Sequence, residues 1–168
     1  MIRRATAADI AAIAALQVRS FRAAYRGLLL DAYLDALDFE QRAATWQRVA
    51  VGGKAELAVK DIDGTIAGFM CLGPSRDTDA APHTGEVMAL HVDPGSWRSG
   101  VGRELMDLAK LTARERGWPL LTLWVLRDNV RARRFYEAVG FHTDGVTHER
   151  SFDGMAIPEV RYARMCER

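Results

Sequence analysis

The sequence predicts a mixed α/β layer fold, with one central sheet of about seven strands flanked by about four helices. Three observations lead there. Apolar residues recur at helical period in four segments, and short β-rich runs bounded by Gly, Pro and Asp lie between them. In the second half of the chain a helical pattern falls between strands twice. The 168 residues are the size of one domain, residues 1–168, with a single substantial core. Apolar residues make up 49% and charged residues 27%, which excludes both intrinsic disorder and a fibrous repeat.

Each element has a local reason. A short strand at 2–5 leads into an amphipathic helix, in which Ile10, Ile13, Leu16 and Phe21 recur near helical period behind a Thr6/Asp9 pair spaced like a capping box. A second helix is predicted over 31–49, carrying Tyr33, Leu34, Leu37, Phe39 and Trp46, and Gly52-Gly53 breaks it. Strands at 55–60 and 65–72 form a hairpin around Asp61-Ile62-Asp63-Gly64. A polar loop at 74–84 precedes a strand at 86–92, which stops at Asp93-Pro94. Leu105, Leu108, Ala109 and Thr112 then share a helix face up to Gly117, and Pro119 opens the apolar strand 120–126. Residues 129–139 are helical and end at Gly140, and strands at 141–152 and 159–165 flank a turn at Asp153-Gly154.

Charge and cysteine usage exclude several function classes. Lys plus Arg is 23 against 22 for Asp plus Glu, so a net charge of +1 gives no bulk pull toward nucleic acid or anionic membrane. Any anion must be bound locally. Cys71 and Cys166 suggest neither a disulfide framework nor a zinc site, and no His is spaced for metal ligation, so no metal is expected and a cytoplasmic location fits. Arg3 and Arg4 precede a mostly apolar stretch at 7–18, but Asp9 and Gln17 interrupt it, which favours a helix over a secretory signal. No apolar run approaches the ~20 residues of a membrane span.

Two stretches carry chemistry. In the first, residues 91–105, a strand stops, a small-residue loop follows and a helix begins. Such a helix start leaves backbone N–H groups unpaired and carries partial positive charge, so it is suited to a phosphate or pyrophosphate. Gly100 and Gly102 allow close backbone approach, although glycines at this spacing also serve plain turns. Neither the P-loop nor the dinucleotide glycine pattern is matched. In the second stretch, residues 123–141, Asn129 stands at a helix N-cap and shares a helix face with Ala132, Arg133 and Tyr136. Tyr136 read alone is equally a buried aromatic with a satisfied hydroxyl, and the arginines a solvated face.

Together these stretches closely resemble the GCN5-related N-acetyltransferase (GNAT) family in its phosphate-binding loop and its Asn-x-x-Ala-x-x-Phe-Tyr-Glu-x-x-Gly-Phe helix. The resemblance is strong over 85–141, and Tyr25-Arg26-Gly27 followed by Tyr33-Leu34 is similar to a common bacterial subgroup. It implies acetyl transfer from acetyl-CoA to an amine, with the cofactor wedged where strands 86–92 and 120–126 splay apart. Pantetheine would pair with the backbone of Leu90 and Val92. The pyrophosphate would sit on N–H groups of Arg98, Ser99, Gly100, Val101, Gly102 and Arg103, with Asn129 and Tyr136 also against the cofactor. Trp97 departs from the family pattern, which usually has Arg or Gln there, and Arg98 or Arg103 are the candidates to compensate.

An alkyl amine of pKa near ~10.4 must lose a proton before it attacks a thioester. By resemblance Glu86 is the base, directly or through water; as a bare residue it is equally a strand-end surface carboxylate. The Leu90 N–H would stabilise the developing oxyanion, and Tyr136 would protonate the departing thiolate. Tyr25, Arg26 and Tyr33 would wall the acceptor site, with Arg26 either drawing an acceptor carboxylate or lying solvated in its loop. The loop 74–84 is a candidate to close over the site. His91 should face away from Leu90 and Val92 by strand alternation, and Cys71 is read as a core thiol. The expected acceptor is a small-molecule or peptide amine. A protein N-terminal or lysine acetyltransferase and a non-catalytic acyl-CoA sensor are the alternatives, and a homodimer through the edge of a C-terminal strand is compatible.

Overall fold

The computed structural model describes residues 1–166. An edge strand, β1 (Ile2–Arg4), leads through a 3-10 turn at Ala7–Asp9 into α1 (Ile10–Tyr25), followed by α2 (Asp31–Asp35) and α3 (Phe39–Gly52). An antiparallel meander of β2 (Glu56–Ile62), β3 (Thr65–Pro74) and β4 (Thr84–Val92) comes next. Then follow α4 (Val101–Glu115), β5 (Leu120–Leu126), α5 (Val130–Ala138), β6 (His142–Phe152) and β7 (Met155–Met165). The seven strands form one sheet in the order β1-β2-β3-β4-β5-β7-β6, in which only the β4–β5 pair is parallel. The mixed α/β class and the strand count are those the sequence predicts. No helix among the described residues is long and apolar enough to cross a membrane.

β3 and β4 each run two residues further into the expected 74–84 loop, to Pro74 and from Thr84, and two other boundaries differ more. The single helix expected over 31–49 is two helices, because α2 stops at Ala36 and the backbone of Asp38 is extended (φ −92°, ψ 120°). The Asp38 side chain then caps a new helix by accepting from the Gln41 N–H at 3.1 Å. The last strand begins at Met155 rather than Glu159. Pro158 is tolerated inside it because the β5 ladder ends at Leu126–Glu159, so on that side Pro158 needs no N–H donor. Its carbonyl instead accepts from Arg127 N at 2.9 Å.

The two faces of the sheet are covered differently. On one face, α4 buries Leu105, Met106 and Ala109 against Leu121, Leu123, Val125 and Tyr162, and α5 adds Phe135 and Tyr136. On the other, α1 and α3 bury Ile13, Leu16 and Trp46 against Val59, Phe69 and Cys71 of β2 and β3. A third cluster, Phe21, Leu29, Leu34, Leu126 and Phe152, ties the α1–α2 region to the β6–β7 hairpin. The side chains of Glu159 and Arg161 alternate with Val160 and Tyr162, which belong to the α4 cluster, so they face the α1 side. That part of the sheet carries ion pairs where the rest carries aliphatics.

The start of α1 is fixed electrostatically. The Asp9 carboxylate accepts from Thr6 N (2.7 Å) and Thr6 Oγ1 (2.9 Å) and from both terminal nitrogens of Arg3 (2.8 and 2.9 Å). The Arg3 guanidinium, helped by the Thr6 donors against burial, holds this carboxyl well below the usual range. Because its folded pKa lies below the unfolded value, the stabilisation is present above about pH 4 and is lost as pH falls. Asp9→Asn is therefore expected to lower unfolding free energy by about 1 kcal/mol at pH 7, the usual cost of losing an N-terminal cap. Urea titrations of variant and parent should begin to draw together only as pH falls below about 4, toward the much lower folded-state pKa; a gap that stays constant with pH would refute the assignment.

Candidate active site

The β4–β5 pairing covers only Thr84–Leu120, Gly85–Leu121 and Glu86–Thr122. Beyond it the strands part. A bulge at Met88, where Cys71 faces Ala89 and Leu72 faces Val87, bends β4 at this point. Gly85 is required below the parting, since a Cβ there would overlap the Trp118 indole that closes the core. Past the bulge, Asp93 N donates to Ala67 O at 2.9 Å, and the register pairs Phe69 with His91 and Gly68 with Val92. Antiparallel alternation therefore turns the N–H and C=O of Leu90 and Val92 away from β3, into the gap where β5 has withdrawn.

The gap ends at the start of α4. Gly100 is the N-cap in a left-handed conformation (φ +92°), and the first helical bond is Glu104 N to Gly100 O at 3.0 Å. The N–H groups of Val101, Gly102 and Arg103 thus have no acceptor among the described residues and point out of the helix end. Ser99 Oγ is spent on Ser96 O at 2.6 Å. A side chain at Gly102 would press on Phe135 of α5 at 3.2 Å, so β4, α4 and α5 meet tightly here. Trp97 donates its indole N–H to Val92 O at 3.0 Å, so one of the two backbone carbonyls expected for pantetheine already holds a partner.

Asn129 is buried and caps α5, its Oδ1 accepting from Ala132 N at 3.1 Å. Tyr136 is half-buried among Phe135, Phe141 and Tyr162, and its hydroxyl makes no hydrogen bond among the described residues. Burial pushes this phenol well above its ordinary value, and neighbouring Tyr25 adds to the rise. Arg133, on the same helix, is committed to Tyr162 Oη at 2.9 Å and Arg127 O at 3.0 Å.

On the α1 side of the same parting lies a cleft of about 390 Å³, lined by Glu86, Met88, Trp124, His148, Arg150, Glu159 and the loop residues Arg76 and Asp77. Glu86 is 2% exposed, so it is no surface carboxylate. It accepts from Arg76 N (2.9 Å) and Nε (3.1 Å) on Oε2 and from Arg76 Nη2 on Oε1. The loop 75–83 is anchored beside the cleft: Trp124 Nε1 donates to Asp77 Oδ1 at 2.9 Å, and Arg161 holds Asp77 and Asp79. His148 stacks on Trp124 (centroids 3.8 Å apart), with Nε2 2.8 Å from buried Glu159. Arg76, Trp124, His148 and Glu159 were not anticipated from sequence.

None of the three residues expected to wall the acceptor site lines this cleft. Tyr25 packs edge-on against Phe21, and burial pushes its phenol up to about 12 against the opposing pull of Arg150 from the cleft side. Tyr33 packs on Phe152 and its hydroxyl accepts from Arg42 at 3.5 Å. Arg26 turns outward to Asp31 (2.9 Å) and Asp35 (3.1 Å) and does not line the cleft. His91 faces α1 as alternation requires, sandwiched by Phe21 and Phe69 with Nδ1 2.8 Å from Ser20 Oγ. Burial pulls its pKa down to about 3, so it is a neutral core residue. Cys71 is buried and its thiol is pushed up to about 11.

Comparison with known proteins identifies the family and the fold. The family model described as "Acetyltransferase (GNAT) family" matches residues 12–141. The Mycobacterium tuberculosis protein named "Probable N-acetyltransferase Rv2775" is 30% identical over 168 aligned residues, which cover 96% of this chain and 91% of that one. A mycothiol acetyltransferase of Beutenbergia cavernae is 43% identical over 81 residues, covering 48% of this chain and 26% of that protein. Among solved structures, the PaiA N-acetyltransferase of Thermoplasma acidophilum in complex with coenzyme A superposes with a TM-score of 0.76 at 18% identity over 98% of both chains. YncA of Salmonella typhimurium with its cofactor acetyl-CoA gives 0.74 at 21% identity, over 100% of this chain and 94% of that one. The parted strands, the glycine-capped helix and the family match over most of the sequence lead to one conclusion: the chain belongs to the GNAT family of acetyltransferases.

Proposed function

We propose that residues 1–168 form one acetyltransferase domain that moves the acetyl group of acetyl-CoA to a primary amine of a small molecule or peptide by direct attack. The observation that carries this reading is the parting of β4 from β5 after Glu86–Thr122, which turns the Leu90 backbone and the Val92 N–H toward a gap ending at the α4 N-terminus. The residues present fit the donor. An extended amide chain can add to the free edge of β4, and an anion fits the outward N–H groups of Val101, Gly102 and Arg103. When bound, acetyl-CoA supplies a thioester carbonyl and a thiolate leaving group.

The chain's own groups then divide the work. Glu86 takes the proton of the amine, directly or through a water, and Arg76 holds its carboxylate in place at the cleft floor. The Leu90 N–H, free of any ladder partner, donates to the carbonyl oxygen as charge develops there. Tyr136 gives its proton to the departing sulfur. Tyr25 and Tyr33, packed on Phe21 and Phe152, extend the acceptor side beyond the cleft lining, and Arg26 is held at its edge by two aspartates.

Calorimetry with acetyl-CoA and CoA, followed by thiol release across a panel of amines, tests this directly. Binding with amine-dependent release is expected. Binding without release for any amine or peptide would replace the enzyme with an acyl-CoA sensor. Within the enzyme reading, Glu86→Gln should lower kcat about a hundredfold, the low end for a general base, with acetyl-CoA affinity unchanged. Unaltered kcat in that variant would remove Glu86 from the mechanism.

A further inference from the structure

The arginines around the start of α4 lack counter-ions. Arg98, Arg103 and Arg131 make no ion pair or side-chain hydrogen bond among the described residues, although ion pairs are plentiful elsewhere on the surface. The acids nearest to them in sequence are already paired: Asp93 with Arg19, Glu104 with Lys60 and Asp128 with Arg127. Arg103 stands in the first turn of α4, where the helix dipole disfavours a cation. Arg98 adopts a left-handed backbone (φ +64°) that a non-glycine residue rarely takes. Such local conflicts, gathered around one helix end in a chain of net charge +1, are relieved by a bound anion.

Arg131 is the best organised of the three. Its guanidinium lies 3.5 Å from the centre of the Trp97 ring, and Trp97 is itself pinned by its indole bond to Val92 O at 3.0 Å. None of its N–H groups bonds to a described residue, and a guanidinium can grip a phosphate through two parallel bonds. Burial lowers the Arg131 pKa, Tyr25 opposes this, and the neighbouring Arg98 cation lowers it slightly further.

We propose that Arg131, laid on Trp97, binds the pyrophosphate of the acyl-CoA at the α4 N-terminus and supplies the side-chain contact that the loop itself lacks at position 97. The assignment rests on acetyl-CoA being the donor. Trp97 is then a platform that positions Arg131, and Arg98 and Arg103 add diffuse charge.

Calorimetry with CoA, dephospho-CoA and pantetheine separates the possibilities. Arg131→Met keeps the aliphatic stem over the indole and is expected to weaken CoA and dephospho-CoA alike by about tenfold, as for one lost charged hydrogen bond near the surface, with pantetheine unchanged. Trp97→Leu should give a smaller loss of the same pattern. Unchanged CoA binding in Arg131→Met overturns the proposal. So does an equal loss for pantetheine, which would make the role structural, or a loss confined to CoA, which would place Arg131 on the 3′-phosphate. If the parent protein binds neither CoA nor acetyl-CoA, the donor reading itself falls, a result distinct from all of these.

Discussion

Tyr136→Phe is expected to lower kcat about a thousandfold while acetyl-CoA affinity stays within about twofold, because the change removes one proton donor and nothing else. The ring is held by Phe135, Phe141 and Tyr162 at centroid distances of 5.4, 6.5 and 6.4 Å, contacts that phenylalanine retains. The hydroxyl bonds to no described residue, so its loss leaves no buried partner orphaned, and the thermal midpoint should hardly move. Burial and Tyr25 both keep the phenol protonated well above its ordinary range, the state a proton donor to sulfur needs. For the same reason Tyr136 should contribute no alkaline fall in kcat at any ordinary assay pH. Steady-state kinetics with the true acceptor decide the matter: turnover equal to that of the parent would assign the proton to solvent and leave Tyr136 as packing.

What was legible in the sequence was what is local. The Asp63-Gly64 and Asp153-Gly154 turns were readable because two-residue hairpins need left-handed backbone, and these residues have φ of 50° and 82°, and 51° and 81°. The glycine-capped start of α4 was readable because strand stop, glycines and helix start are contiguous. The roles considered for Glu86 and Tyr136 came from resemblance, and no spacing rule would have linked two residues 50 positions apart. The break between α2 and α3 had a signal, Asp38 followed three residues later by Gln41, but apolar spacing through Leu37 and Trp46 concealed it.

The cleft was hidden because its walls meet only through strand order. Trp124, Glu159 and His148 lie on three different strands and become neighbours because the sheet runs β5-β7-β6. Even so, His148 could have been found. The Asp153-Gly154 turn sets the hairpin register, and four residues back from Phe152 and four on from Met155 place His148 opposite Glu159. Starting the last strand at Glu159 rather than Met155 removed that pair from view. Arg76 had no such signal, since a loop side chain reaching a strand carboxylate follows no period.

The largest structural loss is expected from Arg161→Met. Arg161 is 8% exposed, on the α1 face of β7, and its guanidinium binds three carboxylates: Asp77 (3.1 Å), Asp79 (2.7 and 2.9 Å) and Asp144 (2.7 Å). Methionine keeps the stem but leaves these acids facing one another. Breaking a buried ion pair from one side costs about 3 to 5 kcal/mol, and the lower figure applies here because Asp79 and Asp144 can rehydrate. The Arg161 guanidinium holds Asp79 below its ordinary pKa, so the share of the stabilisation that runs through Asp79 is present above about pH 4 and is lost as pH falls. The urea midpoint of the variant should therefore lie far below that of the parent at pH 7 and approach it in acid. Function should divide along the sheet. Asp77 positions the Trp124 indole and the 75–83 loop beside Glu86, so freeing it should raise the KM of the amine, whereas the α4 end lies on the other face and acetyl-CoA affinity should persist. A variant as stable as the parent, or one that loses donor and acceptor affinity together, would mean that the aspartate cluster neither braces the loop nor shapes the acceptor cleft.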